Sequence, residues 1–228
     1  MSARHFHEEM ETLKSHLVAM SGIAEESVRM AVEALIERDA KKAQVVVERD
    51  QQLDELELRI DDLAINLLAL QQPMARDLRF ITAAMKIGND LERVGDHAVN
   101  IAEELEFMLK APPFPLLPEL EEMARHATEM LSDALNAFVL ADSALARQVV
   151  ERDDRVDELH ENNFRILLTH MMEDPRKITA GMDLFLVSGN VERIADLATN
   201  VAEEVVFFVE GRTIKHHAER RGGQLPKS

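Results

Sequence analysis

Apolar residues recur every three or four positions along nearly the whole chain, which is the spacing of one face of an α-helix. In one such run Leu53, Leu56, Ile60, Leu63 and Leu67 form a continuous apolar stripe. Glycine and proline, which usually punctuate a chain of short elements, number only 8 and 7 among 228 residues. The pattern therefore predicts an all-α protein made of long helices.

The breaks in this periodicity divide the chain into six helices. Asp39 and Asp142 stand where N-caps are expected, each before a long periodic run. Pro73 and Pro175 interrupt two further runs, and "APPFPLLPE" at 111–119 has four prolines and is typical of a linker. The predicted helices span residues 5–37, 40–71, 74–110, 117–140, 143–172 and 175–210.

The two halves of the chain repeat. "VVERDQQLDELE" at 46–57 matches "VVERDDRVDELH" at 149–160 with 8 identities in 12, and residues 87–108 match 187–208 with 9 identities in 22. The offset is 103 in the first block and 100 in the second, so the length change falls at the turn between them. This repeat predicts two tandem three-helix bundles. The predicted divisions are residues 1–111 for the first bundle, 117–211 for the second and 212–228 for a basic flexible tail.

Charge and composition narrow the function. The chain has 43 Asp and Glu against 26 Lys and Arg, a net charge of -17. Phosphates of nucleic acid and anionic membrane surfaces would be repelled, so cations and basic protein partners are favoured. There is no cysteine, which excludes thiolate metal sites and disulfides. The polar start and the lack of any long apolar run predict no signal peptide and no membrane insertion, hence a cytoplasmic protein.

Acidic side chains form a second stripe beside the apolar one on the second predicted helix. In an antiparallel hairpin that turns at Pro73, Asp50 faces Asp96 and Asp54 faces Glu92, because the members of each pair are equally far from the turn. The same rule applied to a turn at residues 174–175 brings together the corresponding four carboxylates of the second half. The eight residues so predicted to bind metal are Asp50, Asp54, Glu92, Asp96, Asp153, Asp157, Glu192 and Asp196.

Converging like charges cost energy, about 1 kcal/mol per pair at ~4 Å in water and ~4 kcal/mol at a protein surface. A bound cation is the favoured reason for the convergence, and solvated helix faces are the alternative. All-oxygen sites suit magnesium, calcium, manganese or iron, and zinc also accepts carboxylates.

His160 is expected to be a partly buried structural histidine, although it could serve the second site. His97 is expected to be structural or exposed. Arg93 and Arg193 are expected to neutralise neighbouring acids, with Asp96 and Asp196 as their partners.

Residues 5–217 resemble the PhoU family of phosphate-signalling proteins. "DLERVGDHAVNIAE" and "VERIADLATNVAE" are similar to its two signature helices, and "LALQQPMARDLRFITAAMKI" to its first inter-helix turn. "MMEDPR" and "VEGRTIKH" are similar to parts of its second half. Two departures are Leu197 where the first half has His97, and Gly189 where it has Asn89; they put equal metal occupancy of the two sites in doubt.

The resemblance implies a fold of two three-helix bundles, and metal clusters, often of iron, held by the same eight carboxylates. It also implies a homodimeric negative regulator of the phosphate-starvation response, which acts by binding and without turnover. Its implied partners are the ATPase subunit of the phosphate ABC transporter and a sensor histidine kinase, which would place it peripherally at the inner face of the membrane.

The sequence leaves two other hypotheses about the function open. A ferritin-like di-metal enzyme would use Glu-x-x-His pairs, and the chain offers only Asp157-x-x-His160 in one half. A metal-free helical adaptor would use the acidic faces to dock a basic partner, and metal analysis separates it from the other two readings.

Overall fold

The computed structural model describes residues 3–110, 114 and 117–214, with side chains from residue 5 onward. This part of the chain is all-α, as predicted, and has seven α-helices and one short 3₁₀ turn. The α-helices are α1 (Ala3–Glu37), α2 (Ala40–Gln71), α3 (Arg76–Lys110), α4 (Pro118–Leu140), α5 (Ser143–Glu151), α6 (Asp153–Glu173) and α7 (Ile178–Glu210).

The helix predicted at 143–172 is two helices, so that prediction is corrected. The break lies at Arg152, whose φ and ψ are -89° and -11° and whose N–H donates to Val149 O, three residues back, at 3.0 Å. The Arg152 guanidinium reaches across to Asp133 on α4 at 2.5 Å. Its counterpart in the first half, Arg49, lies within the unbroken helix α2. A one-residue tightening leaves the apolar period unchanged, so the pattern of the sequence could not reveal it.

The two proline turns delay the next helices by two or three residues. After α2, Gln72 and Ala75 take positive φ of 47° and 48°, so α3 begins at Arg76 instead of residue 74. After α6, Pro175 opens a 3₁₀ turn that ends at Lys177, and α7 follows. Both prolines lie in hairpin connections, as the repeat predicted.

The start of the second helix of each bundle is built the same way twice. Asp39 caps α2 by accepting from Lys41 N at 2.8 Å, and Asp142 caps α5 by accepting from Ala144 N at 2.9 Å. The residue before each cap, Arg38 or Ala141, has a left-handed backbone with φ of 55° or 51°. Equal geometry at a constant offset of 103 confirms the internal repeat.

Helices α1–α3 form the first bundle, and α4 with α5, α6 and α7 forms the second, so α5 and α6 together take the place of one leg. The bundles join through α3 and α7, which run antiparallel: His97 meets Asn190, Lys86 meets Glu204 and Arg79 Nε donates to Phe208 O. One apolar core runs through both bundles.

The predicted domain limits and tail fall partly on undescribed residues. Residues 1–2, 111–113, 115–116 and 215–228 lie outside the described part, and most of the predicted tail is among them. The flexible tail and the limits at 111, 117 and 211 stay predictions. Phe114 and Ile214, which follow α3 and α7, are both buried. No helix in the described part is long and apolar enough to cross a membrane.

Candidate functional site

Each helix hairpin aligns in the predicted register. In the first, Asn89 Nδ2 donates to Glu57 Oε1 at 3.3 Å, and these residues are equally far from Pro73. In the second, His160 Nδ1 is hydrogen-bonded to Ser188 Oγ at 2.9 Å, within one residue of the predicted pairing. The carboxylates that lie one and two helical turns further from each hairpin connection therefore lie opposite one another.

The exposure of the eight carboxylates is the same in both halves. Asp50 and Glu92 are half-buried at the seam between α2 and α3, while Asp54 and Asp96 are exposed. Their counterparts in the second half follow the same order: Asp153 and Glu192 half-buried, Asp157 and Asp196 exposed. The acidic stripe thus lies on the shoulder of each hairpin, between core and solvent.

The first cluster is electrostatically strained. Burial raises the pKa of Glu92 to about 7, and the charges of Asp96, Glu57, Asp54 and Asp50 add to the shift. Burial, with help from Asp54 and Asp96, also raises the pKa of Asp50. These four predicted ligands therefore lie close enough to repel one another.

The second cluster behaves in the same way. Burial first, then the charges of Asp196 and Asp157, raise the pKa of Asp153 to about 6. Although Asp196 is exposed as a whole residue, the protein atoms around its carboxylate displace water, and this desolvation first, then the charges of Glu192 and Asp157, raise its pKa to about 6. The hydroxyl of Thr199 donates to Asp153 Oδ1 at 3.2 Å and partly offsets the repulsion. Sequence reasoning missed Thr199, although its place three residues after Asp196 puts it on the same helix face.

His160 and His97 both make contacts within the protein that suit the expected structural role, and a part for His160 in the second metal site stays a prediction. His160 bonds Ser188 and stacks on Phe185, with ring centroids 5.5 Å apart. His97 Nδ1 is hydrogen-bonded to Asn190 Oδ1 at 2.9 Å across the α3–α7 interface, and burial lowers its pKa.

The expected partner of Arg93 is corrected. Its guanidinium forms an ion pair at 3.6 Å with Asp90, one helical turn earlier on α3, instead of with Asp96. Both residues are three positions from Arg93, so spacing alone could not choose between them. Burial raises the pKa of Glu192, and the charge of Arg193 opposes this rise. Arg193, and Arg93 from across the interface, likewise oppose the rise in the pKa of Asp196.

The chemistry of the eight side chains suits a hard cation, because their carboxylate oxygens are typical ligands of such ions and their negative charge is not fully compensated. The side chains are not arranged as a coordination sphere, however. Among the described residues, no three His, Asp or Glu side chains converge closely enough to hold a metal ion. The eight carboxylates are placed in two groups of four, and their metal binding stays a prediction.

Similarity to known proteins decides the family. A PhoU domain matches the chain twice, over residues 17–105 and 120–205. This chain belongs to the PhoU family. The phosphate-specific transport system accessory protein PhoU homologue of Zymomonas mobilis is 40% identical over 210 residues, 91% of this chain and 87% of the relative. The homologue of Aquifex aeolicus is 39% identical over 94% of this chain and 97% of its own length.

Two solved structures share the family fold. The crystal structure of PhoU from Pseudomonas aeruginosa superposes with a TM-score of 0.89 at 38% identity, over 91% of this chain and all of that one. The phosphate transport system regulatory protein PhoU from Streptococcus pneumoniae gives 0.84 at 26% identity, over 92% and 99%. The two domain matches coincide with the two bundles, each of which has one acidic cluster.

Proposed function

We propose that this protein is an accessory regulator of phosphate transport that represses the phosphate-starvation response. The observation that supports it is similarity over nearly the whole chain to proteins named phosphate-specific transport system accessory proteins. It acts in the cytoplasm as a homodimer without turnover, by binding both the ATPase subunit of the phosphate transporter and a sensor histidine kinase.

The shape of the molecule suits contact with two partners. Because α3 and α7 are antiparallel, the Pro73 and Pro175 turns lie at opposite ends of the molecule. Helix α3 has 35 residues, so these ends are ~50 Å apart at 1.5 Å per residue. An effector shifts an equilibrium only by differential affinity, so the regulator must bind one state of each partner more tightly than the other.

Deletion of the gene tests the regulatory role. Phosphate-starvation genes should be expressed in phosphate-rich medium in the deletion strain, and a plasmid copy of the wild-type gene should silence them again. Expression that stays at the wild-type level in the deletion strain, with no second copy in the genome, would refute the role.

We also propose that each acidic cluster binds metal ions, with iron, manganese, magnesium or zinc as candidates. Support comes from the mutual repulsion within both clusters and from the half-buried position of two carboxylates in each. Asp50, Asp54, Glu92 and Asp96 would hold the ions in the first bundle, and Asp153, Asp157, Glu192 and Asp196 in the second. The ions would supply positive charge that cancels the repulsion across each hairpin.

Metal analysis of protein prepared without chelator tests this proposal. Asp96→Asn should lower the metal content of the first site alone, Asp196→Asn that of the second alone, and the double variant should lose both. Asp62→Asn is the matched control, since Asp62 is an exposed carboxylate on α2 outside the cluster. Wild-type protein that stays metal-free after exposure to each candidate ion would leave the metal-free adaptor as the better account.

A further inference from the structure

The internal repeat places a buried or partly buried glutamate at two equivalent positions of the α3–α7 interface. Only one of the two has a lysine as its ion-pair partner. Lys86 of α3, in the first half, ion-pairs with Glu204 of α7, with Nζ 3.1 Å from both carboxylate oxygens. The same ammonium lies 5.4 Å from the centre of the Phe207 ring. Glu204 is buried, with its side chain 2% exposed. Lysine, glutamate and phenylalanine thus form one contact across the α3–α7 interface, with the lysine side chain half exposed.

The counterpart lacks the lysine. At the offset of 100, Lys86, Glu204 and Phe207 correspond to Leu186, Glu104 and Phe107. Leu186 cannot neutralise an acid, and Phe107 is 59% exposed, whereas Phe207 is half-buried. The place that the lysine fills on one side is, on the other, a shallow cavity of about 440 Å³ between α3 and α7.

The cavity also has a second acid that its counterpart lacks. Asp183 lines it together with Glu104, at a position where the first half has the buried apolar residue Ala83. Burial and the charge of Asp183 raise the pKa of Glu104, and burial raises that of Asp183. Lys110 also lines the cavity, with its ammonium over the Phe107 ring at 5.5 Å. Within the described part of the chain no ion pair joins Lys110 or another base to Glu104 or Asp183.

An exposed apolar strip leads from this cavity to the end of the α6–α7 hairpin. On α7 Leu186, Met182 and Ile178 are spaced by four residues and are 44–48% exposed. Leu168 and Met172 on α6 are exposed at the matching levels. At the equivalent α3 positions the first half has Lys86, Thr82 and Leu78, so polar residues interrupt its strip. Its hairpin also exposes Leu58, Ile65, Leu70 and Met74, which lie on α2 and in the turn.

We propose that this surface docks an amphipathic helix of a partner protein, whose apolar face covers the strip and whose lysine or arginine enters the cavity beside Glu104, Asp183 and Phe107. The chain itself shows how a lysine fills the equivalent place, and a helix laid into a groove is a common mode of peptide recognition. The inference rests on the proposed function, because a regulator that acts by binding needs a partner-facing surface.

Leu186→Lys tests the docking surface, because it restores in this half the lysine that the other half has. The side chain is 47% exposed, so the fold should tolerate the change. The new ammonium should pair with Glu104 and fill the cavity from within. The probe is a labelled model helix of about 18 residues built from leucine and lysine, followed by fluorescence anisotropy. A second probe has its lysines replaced by glutamine.

The wild-type chain should bind the lysine probe, and Leu186→Lys should weaken that binding about tenfold or more, which is typical of losing a central contact. Ala69→Lys is the matched control, since it adds the same charge at an exposed position of the first hairpin and should bind as wild type does. The glutamine probe should bind weakly to all three proteins.

Equal affinity of Leu186→Lys and wild type for the lysine probe, or no binding to wild type, would overturn the proposal. A change of oligomeric state in Leu186→Lys, seen by light scattering at unchanged probe affinity, would assign the strip to a second copy of the chain instead. The same variants should then be tested against the purified transporter ATPase subunit and the kinase. If wild type binds neither, the proposed function fails while the probe result still decides the surface.

Discussion

Replacement of Gly95 by alanine tests how closely α2 and α3 must approach below the first acidic cluster. A Cβ at this position would lie well under 3.0 Å from Leu53 Cδ1 and 3.0 Å from Asp50 Oδ1. Leu53 is fully buried, so it has little room to move. The second half meets the same constraint differently, with Ala195 opposite the smaller Val156 at the equivalent positions.

The expected magnitude follows from two opposing effects. Alanine in place of glycine within a helix stabilises by about 1 kcal/mol. Overpacking a filled core costs about 1–3 kcal/mol. Gly189 provides the control, because it lies in α7 with nothing within 4 Å of an added Cβ. Gly189→Ala should therefore stabilise by about 1 kcal/mol, and Gly95→Ala should be less stable than Gly189→Ala by the overpacking cost alone.

Urea unfolding followed by circular dichroism at the helix band measures these differences, with an unchanged dependence on urea as the check that the unfolded states match. Leu53→Val is the second perturbation. Alone it should cost about 1 kcal/mol, as the loss of one buried methylene does. Added to Gly95→Ala it should restore stability, because it reproduces the Ala195–Val156 pairing of the other half. Equal stability of the two glycine variants, or an equal cost of Leu53→Val in both backgrounds, would refute the reasoning.

Further predictions concern pH and capping. The pKa of Glu92 is about 7 in the folded chain and 4.5 ordinarily, so the folded state binds more protons between these values. The unfolding free energy of metal-free protein should therefore decrease as pH rises from about 4.5 to about 7, and less steeply in Glu92→Gln; a parallel pair of profiles from urea titrations would contradict this. Asp39→Ala and Asp142→Ala should each lower the free energy of unfolding by about 1 kcal/mol. The two losses should be similar, because the two caps have the same geometry. A thermal shift in only one of the two variants would show that the repeated caps are not equivalent.

Much of the fold was readable from local pattern. The period of the apolar residues predicted the long helices, and the repeat predicted the two bundles. The two aspartate caps located the starts of α2 and α5, and the two proline turns located the starts of α3 and α7 to within three residues. The hairpin register was predictable because an antiparallel pair joined by a short turn aligns residues that are equally far from it. This geometry placed Asp50 near Asp96 and Asp153 near Asp196 without knowledge of any distant contact. The coarse site was thus within reach of sequence reasoning.

Other features depended on contacts between residues far apart in the chain. The break at Arg152 accompanies a contact with Asp133, the choice of Asp90 over Asp96 by Arg93 depends on side-chain packing, and the antiparallel meeting of α3 with α7 is set by the core they share. That meeting decides that Lys86 neutralises Glu204 while Glu104 faces Leu186. Helix periodicity and hairpin register are properties of neighbouring residues and are fixed by backbone geometry. Which charges are compensated is a property of the surfaces that two helices about one hundred residues apart present to each other, and only their packing determines it.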